Sequence, residues 1–258
     1  MGCMECIGKT PFASLIATMI VFVGVAIFCG TLYTALQLII KDVFRELFGF
    51  SVQWVEAVQV VFVVIGVVMA VFAILVLIFG ILATGATRRN VYSGEKCIMG
   101  GRVSAAFFMV MSYILNLAWL LIMSVTVIPI ILYVSIYSIC NVEVYNKNPG
   151  TSHYCFNLTQ YGVYRNHSYP PGVQPEGKDH LCDMSDLKRM CDSVAEAGPL
   201  FCAAFAGAVL IVLGLIHFMV TLSSNYTRIR ISKELTDYRD AAEMDEIDLS
   251  LPGSKSRY

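Results

Sequence analysis

Four cysteines, Cys140, Cys155, Cys182 and Cys191, fall in or beside one polar stretch, and two of them follow histidines at the same spacing, His153-x-Cys155 and His180-x-Cys182. Two chemistries use such residues. Thiols in an oxidising compartment cross-link, whereas thiolates and imidazoles together hold zinc. The paired Cys-x-x-Cys spacing of common zinc modules is absent, so disulfides are the reading adopted, with no metal or cofactor expected. The same stretch carries two glycan-acceptor sequons, Asn157-Leu158-Thr159 and Asn166-His167-Ser168. Glycans and disulfides both require the lumenal or extracellular side of a membrane. Cys3, Cys6 and Cys97 lie elsewhere, beside apolar segments, where cysteines are candidates for S-palmitoylation. A myristoylation start at Gly2 would need Ser or Thr where Cys6 stands.

What must position these residues is set by where charge is missing. Of 258 residues, 57% are hydrophobic and 14% charged, against about a quarter charged in soluble chains. That deficit excludes an ordinary cytosolic enzyme, a nucleic-acid binder and a disordered protein. With 18 basic and 19 acidic residues, the net charge of −1 gives no reason to expect a polyanionic partner. No Asp, Glu, Lys or Arg occurs from Thr10 to Ile40, Ala57 to Thr87, Val103 to Val142, or Ala197 to Thr227. About 20 apolar residues in a helix cross a hydrocarbon core, so each window spans once. None contains the polar turn that a second crossing needs.

The expected class is an all-α membrane protein, a four-transmembrane-helix bundle with a disulfide-stapled extracellular loop between helices 3 and 4. Spans are placed at 12–38, 57–84, 104–132 and 199–223. Between them lie an extracellular loop at 39–56, a cytoplasmic loop at 85–103 and a large extracellular loop at 133–198. Residues 1–11 and 224–258 form the cytoplasmic ends. Pro129 either kinks the third helix or marks its exit from hydrocarbon. The first apolar stretch is too long for a cleaved signal peptide and no small-residue cleavage site follows it, so it is read as a retained helix.

Basic residues orient the chain. The ends and the loop from Arg88 to Arg102 hold Lys9, Arg88, Arg89, Lys96, Arg102, Arg228, Arg230, Lys233, Arg239, Lys255 and Arg257, whereas the first loop holds only Lys41 and Arg45. The positive-inside rule places both termini in the cytoplasm. A third sequon, Asn225-Tyr226-Thr227, then falls on the cytoplasmic side and is read as chance.

Three pairings of the four loop cysteines are possible. Cys140 closes the third helix and Cys191 precedes the fourth; packed helices lie about 8–10 Å apart, which favours joining these two and leaves Cys155 with Cys182. Small residues recur on single faces: Ala13, Ala17 and Gly24; Gly66, Ala70, Ala73 and Gly80; Ala203, Gly207 and Gly214. In lipid such stripes let backbones approach closely, which predicts a tight bundle and self-association. Gln37, Gln59, Asn116 and His217 are the polar residues of the spans besides hydroxyls. Asn116 and His217 read as bonds between helices. Cys29 and Cys202 read as small packing residues. Buried carboxylates, lysines and arginines of pumps and sensors are absent, as is any catalytic constellation. The tail from Arg228 begins basic and turns acidic, which suits a solvated, mostly disordered segment with a short helix around Lys233 to Met244.

Ordered matches now make the chain resemble the myelin proteolipid protein family, and its neuronal membrane glycoprotein branch most of all. They include Met1-Gly2-Cys3, Glu5-Cys6, Pro11 to Thr18, Gly24 to Gly30 and Thr84-Gly85-Ala86. Tyr113, Leu117-Ala118-Trp119-Leu120 and Pro129 follow in the third span, then Cys140, Cys155, Gln160-Tyr161-Gly162, Cys182 and Arg189-Met190-Cys191. Leu200-Phe201, Ala206-Gly207-Ala208, His217 and Leu222-Ser223 complete the likeness. The resemblance implies a non-enzymatic tetraspan glycoprotein of the plasma membrane, acylated at its N-terminal cysteines and carrying the nested bridges. The role it implies is organising membrane at cell contacts or projections, with lipid and unidentified membrane or extracellular proteins as partners. After Gly30 the chain reads Thr31-Leu32-Tyr33-Thr34 in place of the Cys-Gly-His-Glu run of vertebrate members, and the cytoplasmic-loop insertion of the myelin form is missing. Both departures point away from compact myelin and toward an invertebrate-type member with a contact role. A channel or transporter of small solutes is the alternative.

Overall fold

Hydrocarbon offers no water to backbone N–H and C=O groups, so an uncharged stretch must satisfy them within itself. The segment Gln53–Leu82 is therefore helical although it is crowded with Val and Ile, which favour strands in water. The computed structural model describes residues 12–49, 53–82, 95–146, 154–162 and 178–250. Its elements are α1 (Phe12–Leu38), a π-helical segment (Ile39–Leu47), α2 (Gln53–Leu82), α3 (Glu95–Cys140), a π-helical turn (Asn141–Tyr145), β1 (Phe156–Asn157), a 3-10 turn (Leu158–Tyr161), β2 (His180–Leu181) and α4 (Met184–Ser250).

Among the described residues, four helical segments are long and apolar enough to cross a membrane: Phe12–Leu47, Val60–Ile81, Ala105–Tyr145 and Met184–Thr227. At 1.5 Å per residue, the 27 residues of α1 reach about 40 Å, more than the roughly 30 Å of hydrocarbon. Bulky apolar side chains such as Val67, Val71, Leu121 and Val220 point outward, while Ser14, Ala17, Ala73, Ser112 and Ala208 are buried. That distribution suits a lipid solvent, in which apolar exposure costs nothing and small residues bring helices together.

Helix extends beyond the third and fourth membrane spans. α3 runs through Pro129 to Cys140, and α4 runs from Met184 through Pro199 to Ser250. Proline within a helix removes one N–H donor and crowds the carbonyl four residues back, Val125 and Ala195 here, without forbidding continuation when packing holds both flanks. The tail expected to be mostly disordered is helical to Ser250; residues 231–250 contain neither Gly nor Pro, the two residues most unfavourable to a helix interior.

Packing divides the chain into two compact units. One comprises Ile20–Phe72 and Ala118–Val212. Its helices meet around Phe28, whose ring lies edge-on to Trp119 at 5.0 Å and to Phe62 at 5.7 Å between centroids. Gly24 of α1 faces Gly207 of α4, and Gly66 of α2 lies against the Cys29 side chain. The other unit comprises Met1–Met19, Ala73–Leu117 and Leu213–Tyr258. There Ser14 packs on Gly80, Phe79 meets Phe108 at 5.5 Å, and Leu215, Phe218 and Leu222 form the buried stripe of α4.

Candidate functional site: the cross-linked segment between the third and fourth helices

Two disulfides shape this segment. Cys140, the last residue of α3, is joined to Cys191 in α4 with Cα atoms 5.7 Å apart, and Cys155 is joined to Cys182. Two turns from the first bridge along each helix, back through α3 and on through α4, Tyr133 lies directly on Gly198, where any added Cβ would enter its ring. The pairs Cys140–Cys191 and Tyr133–Gly198 share one antiparallel register. Both sulfurs of the His-x-Cys repeat are consumed in one disulfide, which leaves no thiolate for zinc at Cys155 or Cys182. Among the described residues no cluster of three metal-ligating side chains occurs.

The second bridge holds a two-stranded antiparallel ribbon in which Phe156 pairs with Leu181 and Asn157 with His180. Lys178 N–H donates to the Phe48 carbonyl at 3.1 Å, tying the ribbon to the segment after α1. That earlier segment contributes more than a tether. Val43, Leu47 and Phe48 share one buried core with Phe156, Leu158, Leu181, Leu187, Met190 and Val194. Phe48 and Phe156 rings are 6.3 Å apart, and Phe156 stacks on Tyr161 at 5.3 Å. The sequence does not say that residues 39–48 join this core, but it does give the face they bury: apolar Ile39, Val43 and Leu47 recur every four residues, while Lys41, Asp42, Arg45 and Glu46 fill the other face.

Polar groups stay at the rim. Lys178 Nζ pairs with Asp186 Oδ2 at 3.1 Å, Arg189 pairs with Glu46, and the Tyr145 hydroxyl donates to Asp192 Oδ1 at 2.6 Å. Burial pushes the Tyr154 phenol above its ordinary range, reinforced by the negative charge of Glu143. Burial likewise raises that of Tyr161, with Tyr154 adding to it.

Asn157 is half-buried and caps the 3-10 turn: its Oδ1 accepts from Thr159 N–H at 3.0 Å and from the Thr159 hydroxyl at 2.9 Å. The sequon's Asn and Thr are thereby fixed face to face, leaving Nδ2 as the group a glycan would take. Asn166, Cys3 and Cys6 lie outside the described residues, as do the side chains of Cys97 and Gln59. Cys29 is half-buried, its thiol 3.6 Å from the Phe62 carbonyl, whereas Cys202 is exposed on α4. Gln37 is exposed and donates to Tyr33 within its own helix.

Two polar residues differ from expectation. His217 is exposed, not turned toward a neighbouring helix, because the buried stripe of α4 passes through Ile211, Leu215, Phe218 and Leu222 and leaves position 217 off it. Asn116 is buried, yet its Oδ1 has no hydrogen-bond partner, and the same holds for Ser112 Oγ one turn away and for Ser14 Oγ.

Four membrane-length helices, with a cross-linked segment between the last two, define a tetraspan membrane protein. The family described as Myelin proteolipid protein (PLP or lipophilin) matches residues 1–234. Neuronal membrane glycoprotein M6-b of Mus musculus is 28% identical over 264 residues, covering 99% of this chain and 78% of its own length. Proteolipid protein DM beta of Squalus acanthias is 30% identical over 258 residues, covering 96% and 88%. Neuronal membrane glycoprotein M6-a of Homo sapiens is 28% identical with the same coverage. No solved structure matches the chain. The chain belongs to the myelin proteolipid protein family, whose members named here are membrane glycoproteins and proteolipids, not enzymes.

Proposed function

We propose that this protein is a plasma-membrane organiser at cell contacts or cell projections, with both termini cytoplasmic and the cross-linked segment facing outward. The observation that carries the reading is the division of labour along the chain. The helices turn hydrocarbon toward lipid, and the segment between α3 and α4, with its polar rim, holds two disulfides and shares a buried core with Val43, Leu47 and Phe48. The described part of that segment offers an ordered surface to extracellular partners, which lowers the ordering cost of binding. Glycans at Asn157 and Asn166 and acyl chains at Cys3, Cys6 and Cys97 complete this reading. The names of the relatives, neuronal membrane glycoproteins among them, support it.

Self-association belongs to the same reading. Gly24, Gly66, Gly80 and Gly207 are used within the chain, so self-association would use outward faces instead, among them that of α1 at Gly30, where an added Cβ meets nothing within 4 Å. The test is imaging of the protein in contacting cells. Cys140→Ser/Cys191→Ser protein that reaches the surface but loses its enrichment at contacts supports the proposal; unchanged enrichment contradicts it. A solute channel is the second reading, favoured only by the unpartnered buried oxygens of Ser14, Ser112 and Asn116. Flux through reconstituted vesicles that vanishes in Asn116→Leu would establish it.

A further inference from the structure

Beneath the ribbon, in the unit comprising Ile20–Phe72 and Ala118–Val212, lies a cavity of about 190 Å³. Leu132 and Phe201 line it from α3 and α4, and Phe156, Leu158 and Met190 line it from the core of the cross-linked segment. Among the described lining residues, only Tyr133 and Tyr161 have a polar oxygen or nitrogen in the side chain. A cavity this apolar gives a water molecule too few of the 2–4 hydrogen bonds it needs, so its natural occupant is hydrocarbon.

Position says where that hydrocarbon comes from. Pro129 and Leu132 are lining residues in the uncharged third window, and Leu132 is 40% exposed on a helix face shared with exposed Ile128 and Ile131. The apolar lining is thus continuous with the surface that lipid tails already cover. Size says how much enters. An apolar protein cavity of about 150 Å³ holds one benzene, so this one takes a short run of methylenes and excludes a fused-ring body such as a sterol. We propose that the cavity is a binding site for the end of a single acyl chain, drawn from a lipid of the leaflet next to the cross-linked segment. A lipid held there would lock α3 and α4 against the ribbon and couple the segment's shape to the membrane beside it. The proposal relies on membrane insertion of the helices, as the functional reading does, but not on which side faces outward.

Photolabelling tests it. The full chain is placed in phosphatidylcholine nanodiscs containing a trace of lipid with a diazirine near the end of one acyl chain, irradiated, digested and mapped by mass spectrometry. Adducts on Tyr133, Met190 or Val194 are expected, beside the general labelling of lipid-facing Val67 and Val220. Ala197→Phe, which projects a ring into the cavity, should lower the lining adducts at least tenfold while leaving those at Val67 and Val220 unchanged. Phe201→Leu, which enlarges the cavity, should raise them and decides the matter if Ala197→Phe does not fold. Adducts confined to Val67 and Val220, or lining adducts indifferent to both substitutions, would overturn the proposal. Because nanodiscs supply both leaflets, a reversed topology in cells would leave this labelling intact, so the two readings fail separately.

Discussion

Gly24 of α1 and Gly207 of α4 each occupy the space the other would need for a side chain: a Cβ on either would lie 2.9 Å from the other's carbonyl oxygen. The added carbon on Gly207 would also stand 2.7 Å from the Phe28 nitrogen. These are backbone atoms and cannot rotate aside. Gly207→Ala should therefore destabilise the protein by about 1–3 kcal/mol through overpacking, outweighing the ~1 kcal/mol by which Ala favours a helix over Gly. Gly30→Ala, made where nothing lies within 4 Å, should be neutral or mildly stabilising. Thermal unfolding of both variants in detergent checks the pair, and equal effects would contradict the crossing.

The disulfides make a second expectation quantitative. Cys140 and Cys191 are 51 residues apart in sequence and Cys155 and Cys182 are 27 apart. In the chain-entropy account each bridge contributes roughly 3–4 kcal/mol. The inner bridge shortcuts the outer loop, so replacing either pair by serine should lower the unfolding midpoint by several degrees and to a similar extent. Melting curves of the two double variants, taken beside non-reducing peptide maps, decide this.

Apolar burial should matter more here than surface charge. Phe48 is fully buried in the core of the cross-linked segment, so Phe48→Ala should cost about 3–5 kcal/mol. Arg189 and Glu46 form an exposed pair, and Arg189→Ala should cost no more than about 1 kcal/mol. Parallel denaturation of the two variants gives the ratio, and a larger loss at Arg189 would refute the ranking.

Alkaline pH should weaken the same segment. Tyr154 and Tyr161 both hold their protons more tightly when folded than the ordinary tyrosine, which titrates near pH 10. Their contribution is fully present below about pH 10 and is lost as pH rises through the folded-state values, because the unfolded chain ionises first. The parent protein should lose stability above about pH 10, and Tyr154→Phe/Tyr161→Phe should lose less. Melting temperature against pH, with phenolate absorbance followed in both proteins, measures the difference.

Much of this architecture is legible in the sequence because lipid is a severe solvent. Uncharged windows of 31 to 40 residues can satisfy their backbones only as helices, whatever the β-propensity of the Val-rich second one. Less legible is everything decided by tertiary contact. Pro129 reads as a kink or as the exit from hydrocarbon and position 199 as the start of the fourth span, and α3 and α4 pass through both prolines. The four-residue apolar period of Ile39, Val43 and Leu47 is visible in the sequence, but only folding shows that it completes a core built mainly by residues more than a hundred positions later. His217 illustrates the opposite error: a polar residue in an apolar helix suggests an interhelical bond, but its register places it off the packed stripe. Glycine spacing marks close helix approach without saying which helix approaches, and Gly24 finds Gly207 within the same chain.

The proposed role at cell contacts depends on the segment between α3 and α4 lying outside the cell while both ends of the chain lie within. Antibody against residues 151–180 should stain intact, unpermeabilised cells, and a tag appended after Tyr258 should stain only after permeabilisation. If the segment is reached only in permeabilised cells whose surface expression has been verified separately, or if the tag is reached in intact ones, the account is contradicted.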